Sequence, residues 1–378
     1  MDSKQESKRM DAPSVLQPAA DIPVAETVDV VVVGATTGAM ASAIAAAENG
    51  ARVLLLSPHY YAGTDLAATN RYWLEPGEIP ETNLEKTLFV ARETRGGYTF
   101  LTPGPYKKAC EDVLLQVGVR FLYNTCCTGV LRDDRSKVAG IVIANKAGSQ
   151  AVLAGTVIDA TPTAAVAQMA GAQITGWPEA PVTVSRTLFR ASGGHEVGDY
   201  REFTMDIAMA DGSWPERQRA DVRLRTACDR GDAAWSAHAP HWIEPHAIVA
   251  EREPPSAPVS PEEMNLGCCR PRGVDHVYVL SAMCAVPRRD AQRLVRPLAL
   301  MRLGRRIGLS AAEDTRRREA IGPARVQTDT SPERPASTVE AREALAGRRP
   351  CRDYARVPRP EGGIPVWAEY DRERGFSA

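Results

Sequence analysis

The chain has 378 residues, 44% of them hydrophobic, which is enough for a large core and about two domains. Its formal net charge of −1 gives no overall field for nucleic acid or an anionic membrane. No apolar run is long enough to span a bilayer, and residues 1–27 predict a flexible leader without a signal-peptide core. We therefore expect a cytoplasmic protein that acts on a small molecule, without nucleic-acid or membrane partners. The sequence does not indicate its oligomeric state.

Residues 29–58 predict a strand, a glycine turn, a helix and a second strand. Residues 30–33 are all valine, as in a strand buried on both faces of a parallel sheet. Gly34 and Gly38 mark the turn, the helix is predicted over 37–49, and 51–56 is the second strand. Such a unit presents backbone N–H groups and a positive helix end to a pyrophosphate.

Further elements follow in chain order. A loop is predicted over 59–76, a helix over 107–116 and a strand over 118–123. Short strands at 128–131, 138–144 and 151–153 predict a meander, and 156–160 predicts another buried strand before an alanine-rich helix that ends near 171. A strand at 182–189, a helix at 214–230 and a mobile loop at 254–261 are predicted within 180–275. A buried strand at 276–283 and a long helix at 290–311 follow, and Pro297 moves the expected start of the continuous helix toward Arg296.

The turn after the first strand deviates from the dinucleotide fingerprint G-x-G-x-x-G. Gly34 holds the first position, while Thr36 and Ala39 hold the second and third. At the end of the second strand, Ser57 stands where an acidic residue would bind a ribose hydroxyl. A βαβ unit that binds no nucleotide is the alternative. The predicted cofactor-contacting residues of this unit are Gly34, Ala35, Thr36, Thr37, Gly38, Ala39 and Ser57.

The only histidine cluster comprises His238, His241 and His246, with Glu244 between them. These residue types could bind a metal, but Pro240 and Pro245 oppose a helix that would align them, so no metal site is predicted. A partly packed loop is the simpler interpretation. An acid or base role for one of these histidines stays open, and no catalytic residue can be named.

Three motifs in this order resemble the FAD-dependent oxidoreductase family of glutathione-reductase-like flavoproteins, over most of residues 28–320. The first is the turn at Gly34. The second is Asp159-Ala160-Thr161-Pro162-Thr163, which is similar to the family's D-A-T-G-D but lacks its glycine and second acid. The third is R-x-x-x-x-M-x-x-G-x-x-x-G, matched by Arg296, Met301, Gly304 and Gly308. Residues 124–131 are similar to the family's strand beside the adenine. The resemblance implies FAD as cofactor, with further contacts from Cys127, Thr161, Arg296 and Gly304.

The predicted fold class is α/β, a Rossmann-like FAD-binding domain at 28–179 and 276–321 with an inserted α+β substrate domain at 180–275. Residues 322–378 predict an extended tail. Because 22–29 and 364–371 share IPV and a closing Asp, the tail is expected to lead into a second such unit that is missing through truncation or a frameshift. The predicted function is hydride transfer from a small organic substrate to flavin. The alternatives are a non-catalytic descendant that has lost FAD, and an NADP-binding protein with Ser57 and His59 near a 2′-phosphate.

Overall fold

The computed structural model of the protein describes residues 21–178, 180–189, 200–228, 235–236, 239–256, 260–318 and 321–327. The predicted leader up to residue 20, the tail beyond residue 327, His238 and residues 257–259 of the predicted mobile loop lie outside this part. The strands are β1 (Val24–Val33), β2 (Val53–Leu56), β3 (Trp73–Leu74), β4 (Glu93–Arg95), β5 (Tyr98–Phe100), β6 (Arg120–Leu122), β7 (Cys126–Arg132), β8 (Val138–Asn145), β9 (Gly148–Asp159), β10 (Val182–Phe189), β11 (Tyr200–Ile207), β12 (Trp235–Ser236), β13 (His241–Trp242), β14 (Val277–Val279) and β15 (Arg325–Val326). The helices are α1 (Thr37–Glu48), α2 (Thr64–Ala67), α3 (Asn83–Leu88), α4 (Pro103–Gln116), α5 (Ala165–Met169), α6 (Trp214–Cys228), α7 (Arg288–Leu294) and α8 (Pro297–Arg317), and a 3₁₀ turn covers Leu266–Cys269.

The main sheet has eight strands in the order β15-β7-β8-β9-β1-β2-β6, and β14 pairs with the end of β9. Strands β6, β2, β1, β9 and β14 run parallel to one another. The four valines at the end of β1 are buried at the centre, because helices cover both faces of a parallel sheet. The predicted α/β, Rossmann-like architecture is therefore confirmed.

Strand β9 joins two strands that the sequence analysis predicted as separate. Its first half pairs antiparallel with β8, and its second half runs parallel to β1 and β14. Gly155, in the gap between the predicted strands, stays in the strand and faces α8, where a Cβ would lie 2.5 Å from Cγ2 of Thr315. Gly155 is a glycine because helix α8 passes close to the strand, and it does not interrupt the strand. The prediction of two separate strands was therefore wrong.

The predicted strand at 276–283 and helix at 290–311 also differ from the structure. Strand β14 ends at Val279, because the chain turns where the amide of Met283 donates to the Ser281 hydroxyl. The helical region is divided into α7 and α8, and Pro297 occupies the first turn of α8. A proline fits there because the N–H groups of a first turn have no acceptor within the helix, so the N–H that proline lacks costs no hydrogen bond.

Helix α8 packs closely against α1 along a line of small residues. A Cβ on Gly304 would overlap the carbonyl oxygen of Gly38, and one on Gly308 would overlap that of Ser42. Since Gly38 meets Leu300 and Ser42 meets Gly308 further along, the two helices run in the same direction. Both helices therefore begin at the same edge of the sheet.

Two smaller sheets lie outside the main one. Strands β11-β10-β12, with β13 on β10, form a four-stranded sheet that shares a separate apolar core with α6. Strands β3-β5-β4 form a three-stranded sheet that begins inside the segment predicted as a loop. The division into an FAD-binding domain and an inserted substrate domain stays a prediction.

Within the described ranges, no helix combines the length and the apolar composition needed to cross a bilayer. The seven cysteines of this part of the chain are free thiols, and five of them are buried.

We predict that Gly304→Ala lowers the free energy of unfolding by about 1–3 kcal/mol, because α8 must move away from α1 to accommodate the methyl group. Urea unfolding measures the change. Gly104→Ala in α4 is the control, because nothing lies within 4 Å of its added Cβ, and its stability should be unchanged or slightly higher. Equal effects of the two substitutions would contradict the role assigned to Gly304.

Candidate functional site

A cleft of about 410 Å³ runs along the carboxyl ends of the five parallel strands. Its lining is mostly apolar and comes from the segments that follow β2, β6, β1, β9 and β14. Carboxyl ends of parallel strands are the usual ligand-binding edge of an α/β sheet. The cleft is lined by Val33–Thr36, Pro58, His59, Thr64, Asp65, Ala68, Thr69, Thr125–Cys127, Thr161, Pro162, Ala165, Val166, Met169, Ala239–Trp242, Leu280–Ala282, Val295 and Leu300.

The glycine turn lies in the cleft wall. Gly34 has φ +112°, and a Cβ there would lie 2.6 Å from the carbonyl oxygen of Ala160, so a glycine is needed where β1 meets the loop after β9. Thr36 caps α1, and its hydroxyl accepts a hydrogen bond from the amide of Ala39 at 3.2 Å. The hydroxyl at the second fingerprint position thus stabilises the start of α1.

Five of the predicted cofactor contacts line the cleft and six do not. Those in the lining are Gly34, Ala35, Thr36, Cys127 and Thr161. Thr37, Gly38 and Ala39 are buried in the first turn of α1, behind the lining. The remaining three, Ser57, Arg296 and Gly304, lie outside both the lining and the first turn of α1.

Ser57 is fully buried at the end of β2. Its hydroxyl donates to the carbonyl of Tyr61 at 3.2 Å and accepts from the amide of His59 at 3.1 Å. Arg296 is exposed and borders a small cavity of about 50 Å³ beside the cleft, and Gly304 contacts α1. In this structure Ser57 shapes a turn and Gly304 allows helices to pack, so their predicted cofactor contacts stay predictions.

A buried carboxylate holds the loop that follows β9. Oδ1 of Asp159 accepts from the amide of Thr161 at 3.0 Å and from its hydroxyl at 2.6 Å, and Oδ2 accepts from the amide of Ala167 at 2.8 Å. The Thr161 hydroxyl also accepts from the amide of Ala165 at 2.8 Å. Burial raises the pKa of the Asp159 carboxyl, and the three donors oppose this rise by stabilising the charge. The motif Asp159-Ala160-Thr161 therefore fixes the loop that borders the cleft.

A second carboxylate, Asp65, lies at the start of α1. Its Oδ1 accepts from the amide of Thr37 at 2.9 Å, and its Oδ2 accepts from the Thr37 hydroxyl at 2.5 Å. Burial raises the pKa of the Asp65 carboxyl. The sequence analysis did not single out Asp65, because it lies in a segment predicted as a loop. The sequence feature that could have indicated Asp65 is its position after Gly63, in the segment that follows the carboxyl end of β2.

His241 borders three cavities. It lines the cleft, the 50 Å³ cavity, and a third cavity of about 260 Å³ that is also lined by Ser185, Glu202 and Gln292. Burial, with a smaller effect from the charge of Arg71, lowers the pKa of His241 to about 3. Its imidazole is therefore neutral near pH 7, where it can accept a hydrogen bond but is a weak base.

The other described members of the histidine cluster are packed away from the cleft. Glu244 is 1% exposed and binds Arg217 in a bidentate pair at 2.7 and 2.8 Å. Nε2 of His246 lies 3.3 Å from Oε2 of Glu244. In the described part of the chain, no group of three or more His, Cys, Asp or Glu side chains could hold a metal ion.

A scan against protein families matches the model described as FAD dependent oxidoreductase, over residues 29–291. A comparison with curated proteins finds no match. Similar solved structures include an anhydrotetracycline hydroxylase from Streptomyces rimosus, at 16% identity and a TM-score of 0.44, over 76% of this chain and 63% of that one. A geranylgeranyl bacteriochlorophyll reductase-like protein from Thermoplasma acidophilum is 14% identical with a TM-score of 0.45, over 77% of this chain and 78% of that one. THI4 from Thermovibrio ammonificans is 14% identical with a TM-score of 0.44, over 77% and 90%. The chain thus spans less than two thirds of the hydroxylase.

We predict that Asp159→Ala lowers the free energy of unfolding by about 2–4 kcal/mol, because it leaves buried donors of Thr161 and Ala167 without their acceptor. Urea unfolding at neutral pH measures the loss. The control is Asp112→Ala, whose side chain is 46% exposed and which should change stability by less than about 1 kcal/mol. Similar losses in both variants would mean that other contacts hold the loop.

Proposed function

The chain belongs to the FAD-dependent oxidoreductase family, and we propose that it binds FAD along the cleft and transfers a hydride to it from a small organic substrate. One observation carries the proposal. The start of α1, with Gly34 and Thr36 in the wall, opens onto a mostly apolar cleft that follows five adjacent strand ends. A helix N-terminus attracts a phosphate, and the apolar walls suit aromatic rings.

The residues of the cleft fit FAD. Gly34 keeps side-chain atoms away from the turn, and Ala35 and Thr36 are small enough for a pyrophosphate to approach the backbone. We assign the adenine to the end of the cleft near Thr125 and Cys127. We assign the flavin ring to the other end, near Leu280–Ala282 and His241.

When bound, FAD supplies the two-electron oxidation. The cavity of about 260 Å³ that shares His241 with the cleft is the proposed substrate site. Its polar lining includes the Ser185 hydroxyl, which donates to Glu202 at 2.5 Å, and Gln292. We infer that the neutral imidazole of His241 accepts a hydrogen bond from a substrate hydroxyl or amine. Ser185, Glu202 and Gln292 orient the substrate, and the proton that the substrate loses passes to solvent.

The two sequence-based alternatives receive less support. The Ser57 hydroxyl is bonded within its own turn, so nothing favours its contact with a 2′-phosphate of NADP. The non-catalytic alternative is an outcome of the first test below. The cytoplasmic location stays a prediction.

We predict that the purified protein is yellow and that added FAD raises its resistance to thermal unfolding. At a free FAD concentration of 100 times the dissociation constant, the gain should be about 2.7 kcal/mol. Riboflavin, which lacks the pyrophosphate, is the control and should stabilise the protein less. A colourless protein that FAD does not stabilise would support the non-catalytic alternative.

We predict that His241→Asn keeps the flavin content but slows flavin reduction by substrate roughly 10- to 100-fold, because the shorter amide removes the ring nitrogen that accepts the substrate's hydrogen bond. Anaerobic bleaching of the flavin by a panel of small alcohols and amines measures the rate. His276→Asn is the matched control, because His276 lies outside the cleft and its φ of +64° is one that asparagine tolerates. Equal rates for wild type and His241→Asn would exclude the hydrogen-bonding role.

A further inference from the structure

A carboxyl group, that of Asp65, already lies against the start of α1. Both oxygens of the Asp65 carboxylate accept hydrogen bonds from Thr37, one from the amide and one from the hydroxyl. Thr37 is the first residue of α1, and Asp65 lines the cleft. An ionised carboxylate is stabilised at a helix N-terminus by the same partial charge that attracts a phosphate.

The backbone around Asp65 is fixed relative to the glycine turn. The amide of Thr64 donates to the carbonyl of Ala35 at 3.0 Å. Gly63 has φ +69°, and a Cβ there would lie 2.5 Å from the Tyr106 hydroxyl oxygen, so α2 is held tightly against α4. These contacts keep the carboxylate beside the turn, whatever occupies the cleft.

No described cation forms an ion pair with Asp65. Thr37 faces it from α1, and Tyr106 and Cys110, which face it from α4, are uncharged near neutral pH because burial raises the pKa of both. The charged and titratable groups that share the 50 Å³ cavity with Asp65 are Arg71, Glu75, Glu78, His241 and Arg296. Arg71 is paired with Glu75 at 3.1 Å and with Glu202 at 3.4 Å, so its charge is largely compensated.

We propose that Asp65 sets the affinity of the protein for FAD, because its ionised carboxylate and the pyrophosphate compete for the start of α1, so that FAD binding takes up one proton at Asp65. This inference rests on the proposed binding of FAD in the cleft. The proton comes from solvent. Once it neutralises the carboxylate, the hydrogen bonds between Asp65 and Thr37 can rearrange. Affinity therefore falls as the pH rises through the pKa of the Asp65 carboxyl, by at most tenfold per pH unit. Burial raises that pKa above its ordinary value.

The test measures the FAD dissociation constant of the full chain by flavin fluorescence at constant salt, from about pH 4, near the ordinary pKa of an aspartate, to about pH 9. Wild type should bind more weakly at higher pH. Asp65→Asn keeps an acceptor for the Thr37 amide but has no charge, so it should bind FAD more tightly at high pH and without pH dependence. Glu78→Gln is the matched control. Its carboxyl borders the same cavity and burial raises its pKa, but it accepts from Glu75 rather than from α1, so the wild-type slope should remain.

A second measurement needs no variant. Calorimetric FAD titrations of wild type in two buffers of different ionisation enthalpy should show proton uptake. The same slope in wild type and Asp65→Asn, weaker binding of Asp65→Asn at every pH, or the absence of proton uptake would overturn the inference and leave Asp65 as a structural tie. If FAD binds neither protein at any pH, the proposed function itself fails.

Discussion

The close contact between α1 and α8 is the constraint on which the rest of the structure depends. Two helices whose backbones approach this closely need small residues at the contact, and Gly304 and Gly308 of α8 meet the backbone of Gly38 and Ser42 of α1. The contact fixes α8 parallel to α1 on one face of the sheet. As a result, both helix starts lie at the carboxyl ends of the strands, and Leu300 of α8 enters the cleft wall.

Two buried carboxylates hold the loops of the cleft in the same manner. Asp159 binds the amides of Thr161 and Ala167, and Asp65 binds the amide of Thr37. Each joins a loop at a strand end to an amide near the start of a helix, where backbone donors otherwise lack partners. A single guanidinium has a similar role nearby, since Arg288 donates to the carbonyls of His246 and Ala282 and thereby connects the segments that follow β13 and β14.

The sequence predicted the parts of the fold that depend on local pattern. The valines of β1, the turn at Gly34 and helix α1 were predicted within a few residues, because burial on both faces of a sheet and a glycine stop leave clear local signals. The continuity of β9 through Gly155 and the small β3-β5-β4 sheet were not predicted, because tertiary packing decides them. For the site, spacing placed Gly34, Ala35 and Thr36 in the cleft. It could not distinguish them from Gly38, which belongs to the helix contact, since both roles require a small residue in the same turn.

The distribution of acids around the cleft follows from these roles. Ser57 and Thr163 stand where the flavoprotein pattern has acids, and Ser57 has no free hydroxyl with which to replace the charge. The acids that remain beside the cleft, Asp65 and Asp159, face backbone amides instead. A carboxylate that holds a loop is stabilised by the helix end that a bound anion would also need, so loop order and anion binding draw on the same few N–H groups. At Asp159 the bonded amides belong to Thr161 of the loop and to Ala167 of α5, whereas at Asp65 the bonded amide belongs to α1, the helix to which we assign the pyrophosphate. Only at Asp65, therefore, does the acid that orders the cleft also oppose the charge of the cofactor that the cleft is proposed to bind.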